Sequence, residues 1–430
     1  MREASTSTRR GFLAVVGASA LAGCSGFDDS RDGSETTVSM YHLRDVTDDG
    51  ESDPILVESV PVQIEQSLLD ERLRRVSGLL QRVPTPLDQE RIPNGVIRER
   101  LLRAADDATT SSQHARSAQT QLSALQALTR ARERARYAAA GWAYIAENRR
   151  VPELQAAHRQ SVNDARTLRS TFAYRGDDPI RAALVYAHLE RNLDVVLDDP
   201  APHVTESSPL LAVAEWGEHA ETARALVDDT RYLHDRYTAT ISDHAPDVED
   251  TLTAAAETLA MRLRDRRAEL PPEPTELDDG LAGRLRYRLR DDAESSVRRV
   301  TGPAAPARAV VAAVVTISNF AAYDQVRTRL EEEGADAYRI VDASDVHELR
   351  ARALQAIRDA LEESPRPALA RPALADAATA VSFADESLAR YSGDVRVSRL
   401  YDPVRRYIAA AARAQNLPSA CREVLETVES

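Results

Sequence analysis

Glutamate and histidine side chains on one predicted helix are of the types that bind metal ions. Glu215 and His219 are four positions apart, which places them on the same face of a helix, and Glu218 lies beside them. Helical bundles hold metals between helices with Glu and His ligands, so a metal-dependent helical-bundle enzyme is one hypothesis. The Glu-x-x-His pairs of di-iron bundles are missing, and the nine His are scattered along the chain. We therefore favour the alternative, a solvated acidic helix face.

The sequence contains none of the common catalytic or cofactor-binding motifs. It lacks a phosphate-binding glycine loop, a dinucleotide fingerprint, a His-Glu-x-x-His pair and a Gly-x-Ser-x-Gly nucleophile elbow. Glycine is scarce, with 16 residues in the whole chain, which lowers the expectation of a nucleotide-binding loop. We therefore expect a protein that is not an enzyme and that has no cofactor.

A cysteine near the amino terminus follows two short signals. The first, residues 8–13 (TRRGFL), resembles the twin-arginine export signal, and an apolar stretch of about ten residues follows it, too short to span a bilayer. That stretch ends in a segment that resembles a lipobox, the site at which lipoprotein precursors are lipidated and cleaved. The export-signal residues are Arg9, Arg10, Phe12 and Leu13. The lipobox residues are Leu21, Ala22, Gly23 and Cys24.

Together these signals resemble the leader of a twin-arginine-exported, haloarchaeal-type lipoprotein. The resemblance covers only residues 1–24 and implies removal of residues 1–23, a lipid on Cys24, and export of an already folded body. Residues 24–36 would then form a polar, flexible tether to the outer face of the cytoplasmic membrane. An ordinary twin-arginine secretory signal with an incidental cysteine is the alternative.

Composition bounds the class of protein. The 430 residues include 69 acidic and 55 basic side chains, every basic one an arginine, and the formal charge is −14. Such a chain is a poor binder of phosphate backbones, so we expect no nucleic-acid partner. Absence of lysine fits a GC-rich genome and life in high salt, where a carboxylate surface stays hydrated and its self-repulsion is screened. Two cysteines exclude a disulfide scaffold, and Cys421 is expected to be a buried or idle thiol.

Apolar residues recur three and four positions apart along most of the chain, which predicts amphipathic helices seamed with alanine. The predicted fold is mainly α, a multi-helix bundle or irregular helical array. The most apolar stretch, residues 307–323, is expected to be a buried central helix, since its length and its Arg308 disfavour a membrane span. Helix starts are predicted at Asp178-Pro179, Ser208-Pro209 and Asp402-Pro403, and a helix end at Gly334.

A minor β component and two helical regions complete the predicted organisation. Residues 38–43 and 55–64 could pair as a hairpin, while residues 338–341 and 395–401 are also strand-like. Together these segments could make one small sheet against the helices, and isolated loops are the alternative. A proline-rich segment at 271–280 is the best linker and 198–209 the second. The linker at 271–280 divides the chain into a helical domain over 37–270, with the hairpin at its start, and a second helical region over 281–430. A single continuous array is the alternative.

Aromatic residues concentrate between positions 137 and 237, where they could line a ligand cavity. We favour the interpretation that they are the large side chains of a core built mostly from small residues.

The predicted function is a binding or scaffold module at the cell envelope. Its partners would be the membrane, through the lipid on Cys24, and another envelope protein or a small ligand. A solute-binding receptor for a transporter is the second hypothesis, although such receptors are usually built around parallel sheets.

Overall fold

The alanine-seamed segments fold as α-helices, so the predicted fold class, mainly α, is confirmed. A computed structural model describes residues 36–43, 60–87, 89–198, 208–273, 280–301 and 305–430. The predicted leader, almost all of the tether, residues 55–59 of the predicted hairpin and the centres of both predicted linkers lie outside these residues. The described residues belong to one compact unit, Thr36–Ser430.

Thirteen α-helices follow one another in the described part of the chain. The first seven are α1 (Met40–Leu43), α2 (Gln66–Leu80), α3 (Gly95–Arg116), α4 (Gln121–Ala146), α5 (Val151–Ser170), α6 (Pro179–Leu197) and α7 (Pro209–Thr238). The remaining six are α8 (Glu249–Ala268), α9 (Leu281–Thr301), α10 (Pro306–Glu333), α11 (Ala343–Glu363), α12 (Pro367–Ala389) and α13 (Val397–Glu429). A 3-10 helix, Gly334–Tyr338, follows α10.

Local sequence explains most helix limits. The Asp178 side chain accepts hydrogen bonds from the backbone N–H groups of Ile180 and Arg181 at the start of α6, as its sequence predicts. Pro209 begins α7, and Gly334, with a φ of 71°, ends α10. Gly tolerates that left-handed backbone because it has no Cβ.

The predicted helix start at Asp402-Pro403 is wrong, because α13 begins at Val397 and Pro403 lies inside it. Proline has no N–H to offer the carbonyl four residues earlier, which is that of Arg399. The Tyr391 hydroxyl donates to this carbonyl at 3.1 Å. A tyrosine outside the helix therefore supplies the hydrogen bond that the proline cannot.

Two groups of helices pack around α6. In the first, α4 is central and packs on α2, α3 and α7, while α5 packs on α7. Gly141 of α4 and Gly217 of α7 allow the close approach of this pair, since a Cβ on Gly217 would lie 2.4 Å from the Cβ of Ala140. In the second group, α13 packs on α10, α11 and α12, and α8 and α9 also pack on α10. Helix α6 contacts α7 on one side and α10 on the other.

Helix α10 contains the apolar segment predicted as a central helix. Among the described residues it alone is long and apolar enough to cross a membrane, but 67% of its most apolar window is buried inside the protein. Ala307, Val310 and Ala313 are fully enclosed. Helix α10 is therefore buried by neighbouring helices, as expected for a helix of the protein core.

Within the described residues the predicted hairpin does not form, whereas a small sheet that includes the amino-terminal segment is present. Strand β1 (Thr37–Ser39) pairs antiparallel with β2 (Asp394–Arg396), so its partner comes from the strand-like segment 395–401. Residues 40–43 form a helical turn and residues 60–64 form no strand. Residues 338–341 form no strand either, because the 3-10 helix occupies their start. Val38 and Val395 are buried opposite each other, which selects this pairing over a local one.

Candidate functional site

The predicted metal ligands lie along α7 beside α4. Glu218 forms an ion pair with Arg134 at 3.0 Å. Burial and a hydrogen bond with Glu133 together raise the pKa of the Glu218 carboxyl to about 8. Within the described residues, no three His, Cys, Asp or Glu groups come together in a way that could hold a metal ion. Glu215, Glu218 and His219 therefore lie on one helix but do not form a group of metal ligands within the described residues.

The central aromatic residues pack against one another. Tyr174 and Tyr186 have ring centres 4.6 Å apart, and Phe172 stacks on His234 at 5.1 Å. Tyr186 and Tyr237 are fully buried and meet edge to face. This cluster fills the space between α6 and α7, so these rings belong to the core, the interpretation that the sequence favoured.

A buried ion network joins α2, α4 and α7. The Glu221 carboxylate accepts hydrogen bonds from Arg75 at 3.0 and 2.7 Å and from Arg132 at 3.1 Å, and Arg72 donates to Asp229 at 2.9 Å. Burial alone would raise the pKa of Glu221, but the hydrogen bonds and charges of Arg75 and Arg132 outweigh it and lower the pKa to about 2. The carboxylates face guanidinium groups from neighbouring helices, so the network holds the helices together.

A cavity of about 430 Å³ lies between α9, α10, α12 and α13. This volume is within the range of about 300–1,000 Å³ that is usual for small-molecule sites. Five arginines and two aspartates are among its lining residues. They are Arg288, Arg299, Arg405, Arg406 and Arg413, with Asp292 and Asp376. The cavity is therefore locally basic in a chain whose formal charge is −14.

Two of the five arginines have no partner within the part of the chain that the structure describes. Asp292 pairs with Arg288 at 3.1 Å and also contacts Arg413, while Arg405 donates to Asp402 at 3.0 Å. Neither Arg299 nor Arg406 makes a side-chain hydrogen bond or ion pair with any described residue, and both are exposed. The two lining guanidinium groups that have no partner among the described residues thus come from one arginine of α9 and one of α13. This pair of residues is named the arginine pair.

Hydroxyl groups line the wall formed by α9 and α10. Ser296 donates to the carbonyl of Ala293 at 2.8 Å, and Ser318 donates to that of Arg413 at 3.0 Å. Because each hydroxyl has one hydrogen, these serines can only accept hydrogen bonds from a molecule in the cavity. The Oδ1 atom of Asn319, another lining residue, is buried and has no hydrogen-bond partner among the described residues. The lining therefore combines guanidinium donors with oxygen acceptors, and both kinds of group can hydrogen-bond to a polar ligand.

The sequence interpretation did not single out this cavity. The arginine-dense run that includes Arg288 forms local ion pairs, such as the one between Arg288 and Asp292. One available signal was that Arg299 has no acidic residue within four positions on either side. Helical spacing could not bring Arg299 together with Arg406, since more than one hundred residues separate them and only the packing of α9 and α13 against α10 places both at one cavity.

Comparison with known proteins finds two matches to domain families. Residues 67–243 match a domain of unknown function (DUF8262), and residues 249–426 match a second domain of unknown function (DUF8264). The chain matches none of the curated proteins and none of the solved structures with which it was compared. The first match covers α2 to α7 and the second covers α8 to α13 up to residue 426, so the matches meet at 244–248, ahead of the linker predicted at 271–280. Every lining residue of the cavity lies inside the second match.

Proposed function

We propose that this chain is a lipid-anchored binding protein of the cell envelope, held at the outer face of the cytoplasmic membrane through Cys24, and that it binds a small anionic solute in the cavity between α9, α10, α12 and α13. The arginine pair carries this proposal. These two guanidinium groups have no acidic partner among the described residues and lie at one cavity of a strongly acidic protein, so they are ready to form charge-assisted hydrogen bonds with an anion.

The acidic composition gives the arginine pair its significance. A chain of charge −14 repels anions at long range, and in high salt the Debye length falls to about 3 Å at 1 M, so distant charges contribute little either way. An anion would then be held by direct contacts. Arginine suits that task, because its planar guanidinium donates two parallel hydrogen bonds to a carboxylate or phosphate.

The location rests on the leader and has its own test. Full-length protein expressed in a salt-loving archaeal host is expected in the membrane fraction, accessible to protease added outside intact cells. Mass spectrometry of its first peptide should show residue 24 at the amino terminus carrying a lipid. A Cys24→Ser variant should leave the membrane fraction. Wild-type protein that remains in the cytoplasm with an unmodified Cys24 would contradict the proposed location.

The binding test compares two double variants with the same change in charge. Arg299→Gln/Arg406→Gln removes the arginine pair, whereas Arg298→Gln/Arg422→Gln removes an exposed arginine from each of the same helices outside the cavity. A panel containing phosphate, glycerol phosphate and succinate is added at constant ionic strength, and the thermal midpoint is recorded. We expect at least one of these anions to raise the midpoint of the wild type and of the control, since a ligand bound only to the folded state stabilises it.

The Arg299→Gln/Arg406→Gln variant should show none of that rise. Ala380→Phe provides a second variant that leaves every charge in place and fills the cavity from α12, where Ala380 is half-buried. It too should abolish the rise. Equal stabilisation of all four proteins, or of none of them by any anion in the panel, would show that this cavity is not an anion site.

A further inference from the structure

The geometry of the cavity points to a hydroxyl-bearing phosphate monoester, such as the phosphate of a small polyol or sugar, as its ligand. This inference rests on the proposed function and specifies its ligand class. Three features of the lining carry it: the arginine pair, the serine hydroxyls whose hydrogens are already used, and the buried acceptor of Asn319.

The arginine pair sets the charge of the ligand. Five arginines face three carboxylates here: Asp292, shared by Arg288 and Arg413, Asp402, bound by Arg405, and Asp376 of the lining, so two positive charges are left for a ligand to neutralise. A phosphate monoester carries a charge of about −1.5 to −2 at neutral pH and presents three acceptor oxygens. A phosphodiester carries one negative charge and would leave one guanidinium without a counter-charge. Charge balance therefore favours the monoester.

The oxygen acceptors set the rest of the ligand. Ser296 and Ser318 spend their hydrogens on backbone carbonyls, and the Asn319 Oδ1 atom has no donor among the described residues. A buried acceptor without a donor is costly, so a complementary ligand supplies donors at this wall. Hydroxyl groups of a polyol or sugar do this. A dicarboxylate such as succinate satisfies the arginine pair but has no hydrogen to offer the serines.

The cavity lining thus offers two chemically different kinds of group. Arginines of α9 and α13 bind the phosphate, and the serine and asparagine oxygens of α9 and α10 bind hydroxyl groups. A volume of about 430 Å³ accommodates both parts of a compact ligand at once. Glycerol phosphate is a compact molecule that has both parts and could come from the surrounding solution. The polar head of a glycerophospholipid has the same parts but is a phosphodiester, so the two sources are separable by charge.

Isothermal titration calorimetry on the full-length protein purified in detergent tests the inference with four probes at fixed salt concentration. They are glycerol 1-phosphate, methyl phosphate, succinate and glycerophosphoglycerol, the deacylated head of a phospholipid. We expect glycerol 1-phosphate to bind with a stoichiometry of one and at least about 10-fold more tightly than each of the other three. Arg299→Gln/Arg406→Gln should weaken its binding by at least about 10-fold, and the control Arg298→Gln/Arg422→Gln should not.

The hydroxyl contacts have their own variant. Ser318→Ala removes an acceptor while keeping the charge of the cavity, so it should reduce the preference for glycerol 1-phosphate over methyl phosphate and leave methyl phosphate binding unchanged. Equal binding of methyl phosphate and glycerol 1-phosphate by the wild type would remove the hydroxyl part of the inference.

The remaining outcomes separate this inference from the proposed function. Tightest binding of succinate, lost in the arginine-pair variant, would overturn the phosphate assignment while supporting an anion site. Tightest binding of glycerophosphoglycerol, equally lost in that variant, would overturn the monoester and identify a lipid head group as the source. Binding of none of the four probes, together with no thermal stabilisation by the anion panel, would contradict both proposals.

Discussion

The carboxylate of Glu190 on α6 accepts a hydrogen bond from the backbone N–H of Arg308, at 2.7 Å, in the first turn of α10. It also accepts one from the N–H of Ala307 at 3.4 Å and one from the Tyr174 hydroxyl at 2.7 Å. Helix α10 begins at Pro306, and the residue before it, Ala305, has no side chain that could cap the helix. A residue from the first matched region therefore caps the central helix of the second.

Removal of this carboxylate should weaken the contact between α6 and α10. Glu190→Ala leaves two N–H groups of α10 without their acceptor and the Tyr174 hydroxyl without its partner, so we expect a loss of about 3 kcal/mol in the free energy of unfolding. Glu190→Gln keeps an oxygen acceptor of the same shape and should cost less. Urea denaturation of the three proteins measures both effects. Equal stability of Glu190→Ala and the wild type would show that the cap is dispensable.

Stability should depend on pH with a maximum on the acidic side of neutral. Burial raises the pKa of Glu190 from 4.5 to about 7 despite its hydrogen bonds from Tyr174, Arg308 and Ala307, and burial with Glu133 raises that of Glu218 to about 8. Between about pH 4.5 and these values the folded state binds more protons than the unfolded state, so the free energy of unfolding falls as the pH rises. Glu190 alone accounts for roughly 3 kcal/mol of this fall.

At acidic pH the free energy of unfolding should change in the opposite direction and rise with pH, which gives its pH dependence an acidic limb and a neutral limb. The pKa of Glu221 is lowered to about 2, so its stabilisation is present above about pH 4.5 and is lost as the pH falls toward 2. Urea denaturation at intervals from pH 3 to pH 8.5 should show both limbs. Glu190→Gln should flatten the limb between pH 4.5 and 7, and an unchanged slope in that variant would contradict the assignment.

The contact between α4 and α7 should not tolerate a methyl group. A Cβ at residue 217 would lie 2.4 Å from the Cβ of Ala140, so Gly217→Ala must push the helices apart, with an expected loss of about 1–3 kcal/mol. Gly78 on α2 is the matched control, since nothing lies within 4 Å of its added Cβ. Gly78→Ala should gain up to about 1 kcal/mol from helix propensity. Thermal unfolding of both variants gives the comparison, and a Gly217→Ala protein as stable as Gly78→Ala would mean that the pair is more loosely packed than described.

Thiol counting distinguishes the two cysteines. Cys421 is fully buried on α13, and burial raises the pKa of its thiol to about 12, so it should react slowly with a thiol reagent in the native protein. After denaturation, protein from membranes should show one reactive thiol per chain if Cys24 carries a thioether-linked lipid. The Cys421→Ser variant should then show none. One thiol in that variant would mean that Cys24 is unmodified.

Local patterns in the sequence predicted the helices but not the contacts between distant segments. Asp178 and Gly334 act within a few residues of their own helix ends, so their roles were readable from the sequence. Pro403 was misread as a helix start because its compensating donor, Tyr391, lies outside the helix and leaves no pattern within it. The hairpin pairing of residues 38–43 failed for a similar reason, since Val38 pairs with Val395 across almost the whole chain.

The same limit applies to the candidate site. Arg299 and Arg406 are ordinary surface residues of two helices when each helix is considered alone. Their significance arises from what surrounds them, namely Asp292 engaged by Arg288 and Arg413, and serine hydroxyls engaged by carbonyls. The packing of the helices decides which carboxylates are already paired with arginines, so this pairing is not visible in any one helix.

A crystal structure of the full-length protein grown with glycerol 1-phosphate tests the central claim most directly. We predict electron density for one phosphate group between α9 and α13, within hydrogen-bond distance of the guanidinium groups of Arg299 and Arg406, with the glycerol hydroxyls toward Ser296 and Ser318. A cavity that holds only water at saturating ligand, or a phosphate bound elsewhere while Arg299 and Arg406 pair with acidic side chains of the protein, would contradict the claim.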